Sequence, residues 1–291
     1  MKVKHITIMG VGLIGGSFGL ALKAALGSRI QIAAMDKDGE AARTAVEQGA
    51  ADEIFWEMKD LGKTDIVIMC TPVLQMLPLM EEMIPFLKAG TIITDVGSTK
   101  GFIAEKVKGI LPETVEYVAG HPMAGREQSG ILAANKDLFR DKWYILIPEA
   151  STSQPALEVI ASLVEQIGAR ITTLDIGTHD ACAAVISHVP HVTAAALVNL
   201  LEMHDDPEAS LKLAGGGFRD TTRIASSNAD MWSDICMTNG EEITKSLLQL
   251  QTIIGKVVAA IEQKDRQQLH DFFSKAKARR DCLMNQSGTS F

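Results

Sequence analysis

The sequence predicts an α/β fold with a mostly parallel sheet, followed by an all-helical part. Two observations indicate this fold class. Short apolar segments alternate with helical stretches up to about residue 175, and long segments of helical period without a convincing strand follow. A chain of 291 residues is long enough for two hydrophobic cores. We therefore predict two domains, residues 1–175 and 176–291.

The elements are predicted in order from apolar runs, which indicate strands, and from helix-period runs that end at glycine. The predicted strands are 3–9, 30–35, 65–70, 91–94, 117–119, 143–147 and 169–174. The helices predicted between them are 15–26, 40–48 and 154–167. In the second part, helices are predicted over 178–203, 241–260 and 267–284.

Composition argues against several classes of partner. The formal net charge is −8, whereas nucleic-acid binding needs a basic face that neutralises phosphates. The cysteines, Cys70, Cys182, Cys236 and Cys282, form no CxxC pair, which favours free thiols in a reducing cytoplasm. The first apolar run is broken by Gly10 and is too short for a signal peptide or a membrane span. We predict a cytoplasmic protein without a nucleic-acid or membrane partner.

A GxGxxG motif lies between the first predicted strand and the first predicted helix. Its residues are Gly10, Val11, Gly12, Leu13, Ile14 and Gly15. Gly10 permits a tight turn, Gly12 lets a pyrophosphate approach the backbone, and Gly15 lets the helix pack closely on the sheet. The helix N-terminus adds partial positive charge. The motif predicts a Rossmann-type dinucleotide site; the alternative is a glycine-rich turn that binds nothing.

Asp36 indicates whether the predicted dinucleotide is NAD or NADP. It lies at the end of the second predicted strand, where a carboxylate accepts hydrogen bonds from the adenosine ribose and repels the 2′-phosphate of NADP. The predicted cofactor is therefore NAD. Asp36 is alternatively the N-cap of the next helix. Thr71 and Pro72 follow the next strand at the end of the sheet where cofactors bind, so we predict that they contact the cofactor. Alternatively, they only terminate the strand.

Four later segments contain residue types that point to chemistry rather than to packing. They are Asp95–Lys100 at the end of a strand, Gly120–Glu127 (with HPMAG) just past a strand, Ser187–His191, and Gly215–Arg223 (GGGFRDTTR). Together with the glycine motif they resemble the prephenate dehydrogenase family, which includes arogenate dehydrogenases, over nearly the whole chain. The resemblance implies NAD-dependent oxidative decarboxylation of prephenate, a small dicarboxylate, to 4-hydroxyphenylpyruvate in tyrosine biosynthesis.

The resemblance implies that His121 is the catalytic base. A neutral histidine, with a reference pKa of ~6.5, can take the hydroxyl proton as hydride leaves the same carbon. Ser98 would bond that hydroxyl or the nicotinamide and fix their geometry. Taken alone, a histidine before proline is as readily a turn residue bonded to backbone.

The resemblance also implies the substrate contacts. Arg223 would pair with a substrate carboxylate, because guanidinium forms two parallel bonds to it. Glu127 would hold or gate the cationic side of the pocket, pairing with Arg223. Gly216 would allow close backbone approach, and Trp232 would lie near the pocket. Arg223 is alternatively part of a helix salt bridge.

His188 and His191 are predicted to face the same way, because they are three residues apart on one helix. The resemblance implies that both face the substrate. They are alternatively a satisfied interior pair, or two ligands of a metal. We predict no metal, because no third ligand has matching spacing. Pro190 between them is expected to kink the helix. His179 is expected to be a surface or structural residue.

The helix predicted from Thr178 is too apolar on all sides for an isolated surface helix, which predicts a homodimer through the C-terminal helices. Three alternatives to the main function remain at this point. One is arogenate dehydrogenase, and another is a β-hydroxyacid-type dehydrogenase that uses a lysine such as Lys212. The third is a non-catalytic NAD-binding protein.

Overall fold

An eight-stranded sheet forms the centre of the fold in the computed structural model, which describes residues 3–126 and 128–286. Its strands are β1 His5–Met9, β2 Gln31–Met35, β3 Glu53–Ile54, β4 Ile66–Met69, β5 Ile92–Asp95, β6 Glu116–Pro122, β7 Trp143–Ile147 and β8 Arg170–Thr173. The order across the sheet is β3-β2-β1-β4-β5-β6-β7-β8. All neighbours are parallel except β6 and β7. The mostly parallel sheet is as predicted.

Helices lie between most consecutive strands and form most of the described chain after β8. Those before β8 are α1 Leu13–Leu26, α2 Gly39–Glu47, α3 Val73–Met83, α4 Gly101–Ile110 and α5 Gln154–Gln166. Those after β8 are α6 Ile176–Ala183, α7 Val189–Leu201, α8 Pro207–Leu213, α9 Gly216–Thr222, α10 Ala229–Thr238, α11 Gly240–Glu262 and α12 Arg266–Gln286. No strand follows β8 among the described residues, so the all-helical second part is confirmed.

Both faces of the sheet are buried. Along β4, Ile66 and Ile68 belong to one hydrophobic cluster, whereas Val67 and Met69 belong to another. Successive side chains of a strand point to opposite faces, so the clusters lie on the two sides of the sheet. Side chains from α1 and α5 complete the first cluster, and side chains from α3 and α4 complete the second. Burial on both sides explains why the strands are nearly continuous apolar runs.

The structure differs from the predicted elements in several places. The helices α3 and α4 and the two-residue strand β3 were not predicted. The α3 sequence is apolar on most sides and contains Pro78, which obscures its helical pattern. Strand β6 extends to Pro122, so the expectation that Gly120 and His121 follow a strand is wrong. They lie within β6, because its last residues pair with β7.

The segments α6 and α7 form one continuous helix, Ile176–Leu201, through a π-helical turn at Ala184–His188. Pro190 follows that turn. Proline has no N–H to donate, and in a regular α-helix its ring clashes with the carbonyl four residues earlier. The wider π-helical turn before Pro190 avoids that clash. By length and mean hydropathy (1.6) this is the one described helix able to cross a membrane. His179, Asp180 and His188 on this helix are buried within the folded chain, whereas Val185, Ile186 and Leu200 are exposed.

The described residues fall into two compact units, 1–240 and 241–291. The predicted domain boundary at residues 175/176 stays a prediction. In the second unit, α11 and α12 form a helical hairpin in which Asp265 caps the first turn of α12. Many of its large apolar side chains are exposed: Leu248, Ile253, Ile254, Val258, Ile261, Phe272, Phe273 and Leu283. Exposed apolar surface of this extent is typical of a protein–protein interface.

Candidate active site

The GxGxxG motif forms a tight turn at the carboxyl end of β1. Gly10 has a φ of +90°, and its N–H donates to Met35 O at 2.8 Å. A Cβ added at Gly15 would lie 2.0 Å from Gly10 O, whereas one at Gly12 would meet no protein atom within 4 Å. The chain therefore needs glycine at positions 10 and 15 for its own packing. Gly12 instead opens a surface at the N-terminus of α1, where an anion is favoured.

Leu13 and Ile14 form the first turn of α1, and their side chains pack against the core. Their backbone N–H groups belong to the unpaired first turn of the helix, which is the feature that can hold a phosphate. Their assignment to the cofactor site therefore concerns backbone atoms alone.

Asp36 links the end of β2 to the glycine motif. Its carboxylate accepts hydrogen bonds from Val11 N at 2.8 Å and from Asp38 N at 2.9 Å. The N-cap of α2 is Asp38, whose side chain accepts from Glu40 N. Asp36 is therefore not the N-cap, and its half-buried carboxylate lies beside the motif where a ribose is expected.

A cavity of about 620 Å³ lies at the carboxyl ends of β1 and β4, where the strand order reverses. Ligands of open α/β sheets bind at such a switch point. Thr71 lines this cavity, and its Oγ1 is buried with no hydrogen-bond partner among the described residues. Trp56 also lines it and was not singled out from the sequence, since it lies outside the motif. The residues lining the cavity include Gly10, Gly12, Asp36, Phe55, Trp56, Thr71 and Pro72.

A buried network ties the ends of β5 and β6 together. Lys100 is fully buried, and its Nζ pairs with Asp95 and donates to Gly120 O at 2.8 Å. Tyr117 OH donates to the other oxygen of Asp95 at 2.7 Å. A buried ion pair satisfied by further hydrogen bonds fixes geometry more than it adds stability. The network therefore fixes the loop that carries Ser98, which is half-buried.

His121 is buried at the end of β6 and belongs to a chain of hydrogen bonds. Its Nδ1 lies 2.8 Å from Nε2 of His179, and Nδ1 of His179 lies 2.7 Å from Oδ1 of Asp180. The same carboxylate accepts from the backbone N–H groups of Lys100 at 2.9 Å and Gly101 at 2.8 Å. His179 is therefore no surface residue; it is 1% exposed and contacts the predicted base.

His188, His191 and Trp232 meet on one side of the α6–α7 helix. The ring of His191 stacks on Trp232 at a centroid distance of 3.7 Å, and His188 meets the same indole edge-on at 6.0 Å. Asn239 Nδ2 donates to Nδ1 of His188 at 3.2 Å and to Asp180 O at 2.9 Å. The two histidines thus face the same way, as their spacing predicts.

Two N–H groups in this cluster lack partners. His188 Nε2 and Trp232 Nε1 are buried without a hydrogen bond to any described residue. Because Asn239 donates to Nδ1, neutral His188 carries its proton on Nε2. Burial lowers the pKa of His188 to about 4, so the ring is neutral at physiological pH. Buried donors without partners are favourable sites for an acceptor oxygen of a ligand.

The remaining predicted residues lie around this cluster. Arg223 starts a short turn, Arg223–Ser226, that packs against α7 and α9. Gly216 starts α9 and faces open space. Glu127 lies outside the described residues, so its pairing with Arg223 stays a prediction. Lys212 lies exposed on α8, and no described group of three side chains could hold a metal ion.

Comparison with known proteins decides the family. A family model described as "Prephenate dehydrogenase, nucleotide-binding domain" matches residues 18–173. A second, described as "Prephenate dehydrogenase, dimerization domain", matches residues 175–275. The chain belongs to the prephenate dehydrogenase family. The predicted resemblance is therefore confirmed.

Members of this family match along nearly the whole chain. The prephenate dehydrogenase of Bacillus subtilis is 36% identical over 281 residues, which are 96% of this chain and 76% of that protein. The prephenate dehydrogenase of A. aeolicus in complex with hydroxyphenyl propionate and NAD+ superposes with a TM-score of 0.91 at 30% identity, covering 97% and 99% of the two chains. The arogenate dehydrogenase of Synechocystis superposes with a TM-score of 0.82 at 29% identity, covering 96% and 99%.

Electrostatics keep the predicted base of this family member neutral. Burial lowers the pKa of His121 well below its ordinary value of 6.5, and the nearby His179, Lys100 and His188 lower it further. At neutral pH the ring therefore holds a single proton and one free lone pair. Because Nδ1 bonds His179, Nε2 is the atom left for a substrate; no described residue bonds it. His121 can accordingly accept a proton from a bound hydroxyl.

Proposed function

We propose that the protein catalyses NAD-dependent oxidative decarboxylation of prephenate to 4-hydroxyphenylpyruvate. One observation carries the proposal: His121 is buried, neutral and held through Nδ1, with Nε2 unbonded. It lies at the carboxyl end of its strand, and the glycine motif lies at the carboxyl end of β1 in the same sheet. A non-catalytic NAD-binding protein has no need of a base in this position. Membership of the family supports the same conclusion.

NAD fits the residues of the cofactor site. Gly12 leaves open space at the N-terminus of α1, Asp36 offers a carboxylate to the ribose, and Thr71 offers an unpaired buried hydroxyl. When bound, NAD accepts the hydride from the carbinol carbon of the substrate. These residues bind and orient the cofactor and take no part in proton transfer.

His121 removes the hydroxyl proton in the proposed mechanism. Its neutral Nε2 takes the O–H proton while the C–H bond of the same carbon loses hydride, which leaves a carbonyl on the ring. Ser98, in the loop fixed by Asp95 and Lys100, orients the hydroxyl against the base. The ring carboxylate then leaves as CO2, its bonding electrons entering the ring and making it aromatic. The carbonyl oxygen thereby becomes a phenolate oxygen, which takes up a proton to give the phenol.

The substrate side chain and carboxylates need local donors, because the protein as a whole is acidic. Arg223 would form charge-assisted bonds to one carboxylate. The N–H groups of His188 and Trp232 are available to a second acceptor group. His191 stacks on the Trp232 ring beside them. Glu127 would tune the cationic side of this pocket, and Gly216 would let its backbone approach the substrate.

The protein is proposed to act as a homodimer in the cytoplasm. The exposed apolar side chains of α11 and α12 and the match to a dimerization-domain family support self-association. The described cysteines are unpaired, which supports a reducing compartment. A monomeric mass in light scattering at micromolar concentration would refute the dimer.

Turnover tests the proposed function directly. NADH absorbance is followed with NAD plus prephenate, and in a second reaction with NAD plus arogenate. We expect NADH and 4-hydroxyphenylpyruvate to form in equal amounts from prephenate. A strong preference for arogenate would favour the second candidate, which the similarity to the Synechocystis enzyme supports. Absence of turnover with both substrates, despite NAD binding, would overturn the proposal.

A further inference from the structure

We propose that His179 and Asp180 are positioning residues that hold His121 in the tautomer with its proton on Nδ1, so that Nε2 is the base. The inference rests on the proposed function and deepens it. It concerns two residues that no sequence motif indicated.

The environment of Asp180 keeps its carboxylate ionised. Its carboxylate accepts from the backbone N–H groups of Lys100 and Gly101, at 2.9 and 2.8 Å. Burial opposes ionisation, but the hydrogen bonds from His179 and these backbone groups lower the pKa of Asp180 below its ordinary value. An ionised carboxylate can only accept hydrogen bonds. The bond to His179 at 2.7 Å therefore requires a proton on Nδ1 of His179.

The next step fixes the proton on His121. A neutral imidazole with its proton on Nδ1 has a lone pair on Nε2 and can only accept there. Nε2 of His179 lies 2.8 Å from Nδ1 of His121, so His121 must be the donor. The proton of neutral His121 is thus on Nδ1, and its lone pair is on Nε2. Three residues in series set the tautomer of the base.

We call the hydrogen-bonded series Asp180, His179 and His121 the relay. It is rigid because several elements hold its residues in place. His179 is 1% exposed and Asp180 is 7% exposed. Asn239 Nδ2 donates to the backbone oxygen of Asp180 at 2.9 Å, which fixes the helix turn carrying both residues. Asp180 also caps the start of α4, just after the loop that carries Ser98. The relay therefore couples the base to the loop that is proposed to orient the hydroxyl.

The charges around the relay stabilise His121 after it has taken up the hydroxyl proton. Asp180 is the anion nearest to the His179 ring, while Lys100 is paired with Asp95, and His188 is neutral. When Nε2 of His121 takes the hydroxyl proton, Nδ1 keeps its proton and still donates to His179. The anion of Asp180 then stabilises the new imidazolium through the intervening ring. In Asp–His–Ser triads, replacing the aspartate with asparagine favours the wrong tautomer and lowers kcat about 10⁴-fold.

Two substitutions at position 179 separate positioning from packing. His179→Leu removes the acceptor for His121 Nδ1, and we expect kcat to fall at least ~10²-fold. His179→Gln can place an amide oxygen near the former Nε2, and we expect it to recover about tenfold of that loss, since one general-base contribution spans ~10²–10⁴-fold. KM for NAD should stay unchanged in both. His204→Leu and His204→Gln, at an exposed histidine, are the matched controls.

The tautomer itself is measured in the whole protein labelled with ¹⁵N-histidine, with and without NAD. The His121 signals are assigned by their loss in His121→Asn. We expect a protonated Nδ1 and an unprotonated Nε2 in the wild type, and a shift towards Nε2–H in His179→Leu. A wild-type spectrum with the proton on Nε2, as a doubly protonated His179 would impose, overturns the inference. So does a folded His179→Leu enzyme with wild-type kcat. The spectrum can be read even if neither prephenate nor arogenate turns over. Failure of this inference is therefore distinguishable from failure of the proposed function.

Discussion

Gly12 and Gly15 lie in one motif but have opposite surroundings, which makes a matched pair of alanine variants informative. In Gly12→Ala, the new Cβ meets no protein atom within 4 Å. In Gly15→Ala, it lies 2.0 Å from the backbone oxygen of Gly10. We expect the first variant to lose cofactor affinity with only a small loss of stability. The second should lose stability, because a backbone atom must move.

The structure gives the approximate sizes of these effects. Overpacking costs about 1–3 kcal/mol, and a clash with backbone belongs at the upper end, which lowers Tm of Gly15→Ala by roughly 6–12 °C. At Gly12, alanine is a poorer N-cap than glycine, which costs at most about 1 kcal/mol. The pyrophosphate must then approach a methyl group instead of open space. We expect Kd for NAD to rise at least ~10-fold, which corresponds to about 1.4 kcal/mol.

Thermal unfolding without ligand measures the stabilities, and calorimetric titration with NAD measures the affinities. Wild-type affinity in a folded Gly12→Ala protein would refute the placement of the pyrophosphate at this turn. A Gly15→Ala protein as stable as the wild type would refute the packing argument for the third glycine.

Asp36, Arg223 and His188 each give a further testable prediction. The wild type should use NAD with a higher kcat/KM than NADP. Asp36→Asn keeps an acceptor for Val11 N–H and should narrow the difference in kcat/KM between the two cofactors. A wild-type preference for NADP would refute the role of Asp36. Arg223→Ala should raise the substrate KM at least ~10-fold while leaving NAD affinity unchanged, and an unchanged KM would make Arg223 structural. For His188, burial places the folded pKa at about 4, below the ordinary 6.5, so the unfolded chain binds the extra proton first. The free energy of unfolding, measured in urea, should therefore fall as pH decreases from 6.5 towards 4 and stay level above 6.5 as far as this group is concerned. His188→Gln should weaken that dependence, and the same slope in the variant would contradict the assignment.

The fold was largely predictable because its signals are local. The strands are apolar runs buried on both faces, and the glycine motif combines a turn, a close packing contact and an open surface within six residues. The helix α4 was missed for the opposite reason. Its cap is Asp180, about eighty residues later in the chain, rather than a side chain of its own first turn. A search for a capping residue next to the helix cannot find it.

The candidate site was predictable only in part. His121, Ser98 and Arg223 lie in segments that resemble the family, so the sequence alone singles them out as candidates. His179 and Asn239 have no motif, and they matter because the fold brings them to His121 and His188. Burial also changes the chemistry of His121, since its pKa lies well below the value of an exposed histidine. Neither contact nor burial can be predicted from a residue's own neighbours in sequence.

Comparison of His121→Asn with the wild type tests the central claim most directly. Asparagine cannot accept the hydroxyl proton, but it leaves the glycine motif and Asp36 unchanged. With saturating prephenate and NAD, we expect kcat to fall ~10²–10⁴-fold, while the Kd for NAD stays within about twofold of the wild type. Near-normal turnover in this variant would contradict the account, because the base would then have to be another residue.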